Sequence, residues 1–391
     1  MLKIQTLNNI SKLGLERLPR ENYEIASEFQ NPDAVLVRSA DMHKLEIPAS
    51  VKAIGRAGAG TNNIPVAKMS QRGVPVFNAP GANANAVKEL VIAGMLLAAR
   101  NISQSLDFVR KLDGDDAAMH KAVEDGKKKF VGFELPGRAL GVIGLGAIGV
   151  RVANAAVELG MDVYGFDPAM TVQNAWKLDA RVKQAMSVDD LVSKSQFISV
   201  HVPLLDATRG LINADRLKLM KKQGVILNFA RDAIVDEKAV VEALNAGTLH
   251  AYACDFPSNA LKGHPRVIAT PHLGASTGEA EDNCAMMVAD QIREFLEVGT
   301  VRNSVNFPEA VMPLMQGVTR LCIVNANVPN MVGQITTVLA RFNLNISDLL
   351  NKSRGDIAYT LADVDSTVPE GVLTEIAAIK GVLATRMIAA R

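Results

Sequence analysis

Between Leu140 and Gly149 the chain reads LGVIGLGAIG, an apolar run of strand character that turns through a G-x-G-x-x-G into a small-residue helix ending near Gly160. Gly144 permits a tight turn, Gly146 lets backbone approach a pyrophosphate, and Gly149 lets helix pack on strand. The helix N-terminus then offers unpaired N–H groups to phosphate. A second strand, Met161 to Phe166, ends in Asp167 about 20 residues further on, where an acid accepts hydrogen bonds from an adenosine ribose. Asp167 would repel a 2′-phosphate, and Pro168, Ala169 and Met170 supply no cation. NAD rather than NADP is the expected cofactor.

At 391 residues the chain has room for two or three domains, each with its own core. A hydrophobic fraction of 48% and a net charge of +1 describe a soluble globular protein with no bulk attraction to nucleic acid or acidic membranes. Cys254, Cys284 and Cys322 form no C-x-x-C, and their odd number and wide spacing suit a reducing compartment without a metal site. The N-terminus opens on a strand-like Leu2-Lys3-Ile4 rather than a signal-peptide core, and no apolar run reaches a membrane-spanning length. A cytoplasmic chain is expected.

Short β-branched runs before residue 80 (Ala34 to Val37, Val51 to Ile54, Val74 to Phe77) predict a small α/β unit. Val87 to Arg100 predicts a long, largely buried helix, and Asn101 to Lys129 is more polar and partly helical. From Leu140 to His272 strands recur at Leu140 to Ile143, Met161 to Phe166, Phe197 to Val202, Val225 to Phe229, Leu249 to Ala253 and Val267 to Ala269, with amphipathic segments between several of them. That alternation predicts a doubly wound parallel sheet, whose ligands bind beyond the carboxyl ends of the strands. Asp167, Val202, Pro203, Arg231, Asp255 and His272 stand at those ends.

Glu279 to Val298 predicts one long helix, and the prolines around Phe307 to Met315 mark a linker. Beyond it the order β-α-β-β-α-β predicts a ferredoxin-like domain. The expected organisation is thus a flavodoxin-like unit from 1–92 and 275–306, a Rossmann unit from 93–274, a linker at 307–317 and a C-terminal domain from 318–391. The last carries no obvious catalytic set, which points to regulation or assembly.

Arg231 follows one strand in Asn228-Phe229-Ala230-Arg231, and His272 follows another in Thr270-Pro271-His272. An arginine can grip a carboxylate with two parallel hydrogen bonds and steady charge on a carbonyl oxygen, and a histidine can exchange the hydroxyl proton. The pair suits oxidation of a 2-hydroxy acid. In the first unit Arg38-Ser39 and Arg56-Ala57-Gly58-Ala59-Gly60 each follow a strand, where glycines beside arginine let backbone N–H groups help hold an anion.

These segments, with Thr270-Pro271-His272-Leu273-Gly274-Ala275-Ser276-Thr277 and Val76-Phe77-Asn78-Ala79-Pro80, resemble the D-isomer-specific 2-hydroxyacid dehydrogenases, within them the branch acting on 3-phosphoglycerate. The resemblance runs over nearly the whole chain, and the C-terminal region resembles an ACT domain, the ferredoxin-like effector module of many such enzymes. It implies Arg231 on the substrate carboxylate and His272 as acid and base. Arg38, Ser39 and Arg56 would hold phosphate or carboxylate with Gly58 and Asn83 nearby, and Lys127 would reach a neighbouring subunit's phosphate site. NAD would touch Ala147, Ile148, Asp167, Val202, Pro203, Phe229, Ala230, Asp255 and Gly274. Oligomerisation as a homodimer or homotetramer is implied as well.

Two departures from the family pattern stand out. A glutamate usually follows the strand-end aspartate and pairs with the catalytic histidine, but Asp255-Phe256-Pro257-Ser258-Asn259-Ala260-Leu261 has none, leaving Asp255 as the alternative partner. In the ACT segment Asn325, Asn327 and Asn345 stand where serine-inhibited relatives carry a His and two Asn, so L-serine or another amino acid is the expected effector. The rival expectations are a reductase of glyoxylate, hydroxypyruvate or another 2-oxo acid, and a non-catalytic NAD-responsive regulator.

Overall fold

The computed structural model describes residues 1–390, which form two compact units, Met1–Asn83 with the chain from Gly278 onward, and Ala84–Thr277. The first unit is built on a parallel sheet of β1 (Leu2–Leu7), β2 (Tyr23–Ala26), β3 (Ala34–Val37), β4 (Ala53–Arg56) and β5 (Val76–Phe77). Its order, β2-β1-β3-β4-β5, is the flavodoxin-like one. Ala34–Val37 is buried at all four positions, so it reads as a continuous apolar run rather than an alternating one. The Gly278–Val298 helix lays Val288, Ile292 and Phe295 into the core beside Ile4, Leu36 and Phe77. Gly55 on β4 makes that approach possible, since a Cβ there would stand 2.9 Å from Val288 Cγ2.

The second unit carries β6 (Ala139–Ile143), β7 (Asp162–Phe166), β8 (Lys183–Gln184), β9 (Phe197–Val200), β10 (Gly224–Asn228), β11 (Leu249–Cys254) and β12 (Val267–Ala269). All pair in parallel in the order β12-β11-β10-β9-β6-β7-β8. The order reverses between β6 and β9, which puts a ligand crevice at their carboxyl ends. The Ala84–Ala99 helix belongs wholly to this unit because Val87, Val91, Met95 and Ala98 bury against its sheet. After it come the Ile102–Arg110 and Asp116–Gly126 helices, which meet where the Phe108 ring lies against Gly126, and the same ring meets Phe130, just beyond the second helix, at 5.2 Å.

In the first unit β13 (Thr319–Ala326), β14 (Ile346–Arg354), β15 (Ile357–Val364) and β16 (Val382–Ile388) form an antiparallel sheet ordered β14-β15-β13-β16. The Met331–Arg341 and Gly371–Ala377 helices cover one face, packing Ile335, Leu339, Val372 and Ile376 against Leu321, Ile323 and Ala362. This is the ferredoxin-like connection that the sequence predicts. The other face buries Cys322, Val324, Tyr359 and Leu361 in the same core as Phe77 and Phe295. Segment 307–317 has no helix or strand, only the antiparallel bridge of Ala310 to Val301, yet Phe307, Ala310 and Met312 are buried. Among the described residues no helix is long and apolar enough to cross a membrane.

Candidate active site

In the second unit the chain leaves β6 through Gly144, whose φ is +91° and whose absent side chain makes room for the carbonyl of His201. Any Cβ at Gly149 would fall on the Gly144 carbonyl, so helix and turn touch as the motif requires. Above Gly146 the space is open, with no atom within 4 Å of where a Cβ would lie. Gly146 also starts the Ala147–Glu158 helix without a side-chain cap, leaving its first N–H groups to face an anion. Asp167 accepts from Leu145 N at 2.8 Å through one carboxylate oxygen and from Ala169 N at 2.9 Å through the other. Its spare lone pairs fit the diol of a ribose, and the turn fits a dinucleotide.

Three neighbouring strand ends are tied together by backbone. Asp255 N, after β11, donates to Asn228 O at the end of β10, and His272 N, after β12, donates to Asp255 O at 3.1 Å. Asn228 is fully buried and donates through Nδ2 to Arg231 O at 2.9 Å and to Tyr252 Oη at 3.2 Å, pinning the turn from which Arg231 projects. Arg231 itself is exposed, one guanidinium nitrogen resting on Ala230 O. His272 is exposed too, and its backbone is left-handed at φ +56°.

Asp255 is buried, and its carboxylate is taken up by Thr270 Oγ1 at 2.6 Å, Leu273 N at 2.7 Å and Gly274 N at 2.7 Å. It therefore holds the loop carrying His272 and does not pair with the imidazole. Among the described residues no carboxylate bonds that ring; Phe256 stands against it instead. Val202 and Pro203 lie two and three residues beyond the end of β9. Phe229 turns inward, packing its ring on Gly94, so only its backbone faces the strand ends alongside Ala230.

In the first unit Arg56 Nε donates to Arg38 O at 3.1 Å, and the Arg56 guanidinium lies across the backbone at Gly58, where any side chain would collide with it. Arg38 forms an ion pair with Glu281 of the Gly278–Val298 helix. The N–H groups of Ser39 and Ala40 converge on Asn8 Oδ1 at 3.0 and 2.6 Å. Asn83 sits in the turn that ends this segment, and Lys127 of the second unit pairs with Glu124 one turn back. Asn8, Glu281, Tyr252 and Thr270 escape sequence reading, because each acts on a partner distant along the chain.

The three asparagines of the C-terminal sheet do not meet within one chain. Asn325 pairs with Ala358 near one end of β13, and Asn327 N bonds Asp356 O at that same end. Asn345, bonded to Asp365 Oδ2 at 2.8 Å, precedes Ile346, which pairs with Val364 opposite Thr319 at the other end. At ~3.3 Å per residue the two ends are roughly 20 Å apart.

An exposed imidazole after β12 and an exposed guanidinium after β10, with β11 between them, stand at the carboxyl end of a sheet that carries a pyrophosphate turn, the architecture of a dinucleotide-dependent dehydrogenase. Residues 92–274 match the NAD binding domain of the D-isomer specific 2-hydroxyacid dehydrogenases. The chain belongs to this family. It is 33% identical over 355 residues to a D-3-phosphoglycerate dehydrogenase of Haemophilus influenzae, covering 88% of this chain and 83% of that one. A Methanocaldococcus jannaschii protein of the same name is 37% identical over 294 residues, 73% of this chain, which spans only 54% of that longer relative. A structure of NAD+-bound 3-phosphoglycerate dehydrogenase from Entamoeba histolytica is 28% identical, with a TM-score of 0.59 over 78% of this chain and 98% of that one.

Proposed function

We propose that this protein oxidises 3-phospho-D-glycerate to 3-phosphooxypyruvate with NAD, the first step of phosphorylated L-serine biosynthesis. The observation that carries the choice of substrate is the pair Arg38 and Arg56 at the ends of adjacent strands, where the Arg56 guanidinium donates through Nε to the backbone carbonyl of Arg38. A 2-hydroxy acid without a second anion has no use for both. The relatives named for this activity support the same reading.

NAD, when bound, accepts the hydride from C2. Gly144, Gly146, Gly149 and the N–H groups of Ala147 and Ile148 would hold its pyrophosphate, Asp167 its ribose, and Val202, Pro203, Phe229, Ala230, Asp255 and Gly274 would line its nicotinamide end. His272 takes the C2 hydroxyl proton as the hydride departs. Arg231 orients the carboxylate and steadies the oxygen as it becomes a carbonyl, while Arg38 and Arg56, with Ser39, Gly58 and Asn83 around them, take the phosphate. The test is a panel of hydroxy and oxo acids followed at the NADH absorbance band. We expect turnover of 3-phosphoglycerate with NAD and at least tenfold less with NADP. Activity confined to glyoxylate or hydroxypyruvate, untouched by Arg38→Ala, would overturn the assignment.

The protein acts in this reading as a cytoplasmic homodimer or homotetramer, in keeping with three free, buried cysteines. Leu106, Val109, Met119, Val123 and Val131 are exposed on or beside the Ile102–Arg110 and Asp116–Gly126 helices, an apolar surface that a second copy would cover, bringing Lys127 to a neighbour's phosphate. Asn325 keeps a buried side-chain oxygen without a partner among the described residues, a place for an amino-acid effector such as L-serine. Because Asn345 lies at the far end of the sheet, the effector site needs Asn345 from a second copy. Titrating melting temperature and activity with L-serine tests this, and no response would leave the module to assembly alone.

A further inference from the structure

The anion cradle of the first unit already contains an anion. Glu281 sits in the first turn of the Gly278–Val298 helix and its carboxylate is paired with Arg38 Nη2, both side chains being 41% exposed. Arg56 donates through Nε to the backbone carbonyl of Arg38, and burial raises the pKa of the Cys284 thiol, one helical turn beyond Glu281, with Arg56 and Arg38 pulling it down and Glu281 pushing it up. Arg38, Arg56 and Glu281 therefore form one cluster with a net charge of about +1 rather than +2.

The backbone shows the same arrangement. Ser39 and Ala40 present two N–H groups after β3, the geometry that holds a phosphate oxygen, and Asn8 Oδ1 accepts both. Asn8 holds its left-handed conformation, φ +71°, beside those amides. A neutral oxygen on the amides and a carboxylate on the guanidinium together stand in for a bound oxyanion.

We infer that Glu281 is a specificity-determining residue, an internal counter-anion of Arg38 that the terminal anion of the substrate must displace. The inference rests on the proposed reading of the site. A half-exposed ion pair is weak, so a phosphate of two negative charges can break it, while a substrate with an uncharged terminus leaves it intact. Glu281 then lowers the affinity for every ligand that uses Arg38 and leaves the others alone.

The test is Glu281→Gln, which keeps shape and hydrogen bonding while removing charge, compared with Glu281→Ala. With 3-phosphoglycerate, and with D-2-hydroxyglutarate, whose terminal carboxyl carbon stands where phosphorus would, KM should fall about two- to tenfold in both variants. With D-glycerate, which has no terminal anion, KM should move less than twofold. If Ala raises KM and Gln restores it, Glu281 positions Arg38 and the inference is overturned. Calorimetry with inorganic phosphate separates this from the reading of the activity. Should the wild type oxidise no phosphorylated acid, that reading falls, yet tighter phosphate binding by Glu281→Gln would still support the counter-anion. Equal binding, or none in either protein, would overturn it.

Discussion

The rings of His272 and Phe256 meet edge to face, centroids 5.1 Å apart and planes at 63°. An apolar ring thus occupies a flank of the imidazole where a carboxylate could stand. A neighbouring anion favours imidazolium, and oxidation of an alcohol needs neutral imidazole. Phe256→Glu should therefore move the acid limb of oxidation to higher pH, by up to about one unit. Reduction should persist to more alkaline pH in the same variant. Profiles of kcat/KM in both directions check this, and Phe256→Leu should leave the limbs in place.

Asp255 is the fastener of the His272 loop. Replacing it with Ala strands the buried N–H of Gly274, the part-buried N–H of Leu273 and the Thr270 hydroxyl. Loss of bonds to a buried charged acceptor costs about 2–4 kcal/mol, and the left-handed backbone at His272 loses its support. We expect kcat to drop at least tenfold, with a fall in melting temperature. Asp255→Asn, which keeps one acceptor, should lie between.

Much of this could be read in the chain because its signals are local. The turn from Gly144 to Gly149, the acid at Asp167 and the strand-end positions of Arg231 and His272 follow from spacing alone. β2 and β8 were not legible: Tyr23–Ala26 is four residues interrupted by a glutamate, and Lys183–Gln184 is an exposed edge of two polar residues. The Arg38–Glu281 pair spans 243 residues, a separation over which no periodicity speaks. Phe229 shows the converse limit, since its place in the motif says nothing of its ring turning into the core. Sequence likewise offers no sign that Arg320 is buried.

Arg320 is fully buried and paired with Asp363 through Nε at 2.6 Å and Nη2 at 2.7 Å. Its other hydrogens reach the carbonyls of Val298, Met312 and Pro313 at 2.7 to 2.8 Å, so one side chain joins the C-terminal sheet to the helix end and to segment 307–317. Removing one partner leaves a buried charge: Arg320→Met should destabilise the unit by about 3–5 kcal/mol in urea unfolding and expose 307–317 to protease. Arg320→Met with Asp363→Leu should recover part of the stability. Its failure to recover any would place the effect in the three lost carbonyl bonds.

His201, at the end of β9, gives the second unit an acid-sensitive point. Its Nε2 meets Ser199 Oγ at 2.8 Å, while Nδ1 is buried with no partner among the described residues. Burial disfavours the imidazolium and pulls the pKa down to about 4. The unfolded chain, with a histidine of pKa ~6.5, binds this proton between pH 6.5 and 4 while the folded chain does not. Stability is therefore complete above pH 6.5 and declines as pH falls, by about 2 kcal/mol at pH 5. Gln at this position has no proton to gain, so His201→Gln should flatten the curve of unfolding free energy between pH 7.5 and 5 by that amount. Other groups titrate equally in both proteins and cancel in the difference. Parallel curves would mean that the folded protein accepts the proton on Nδ1, with the ring reaching water.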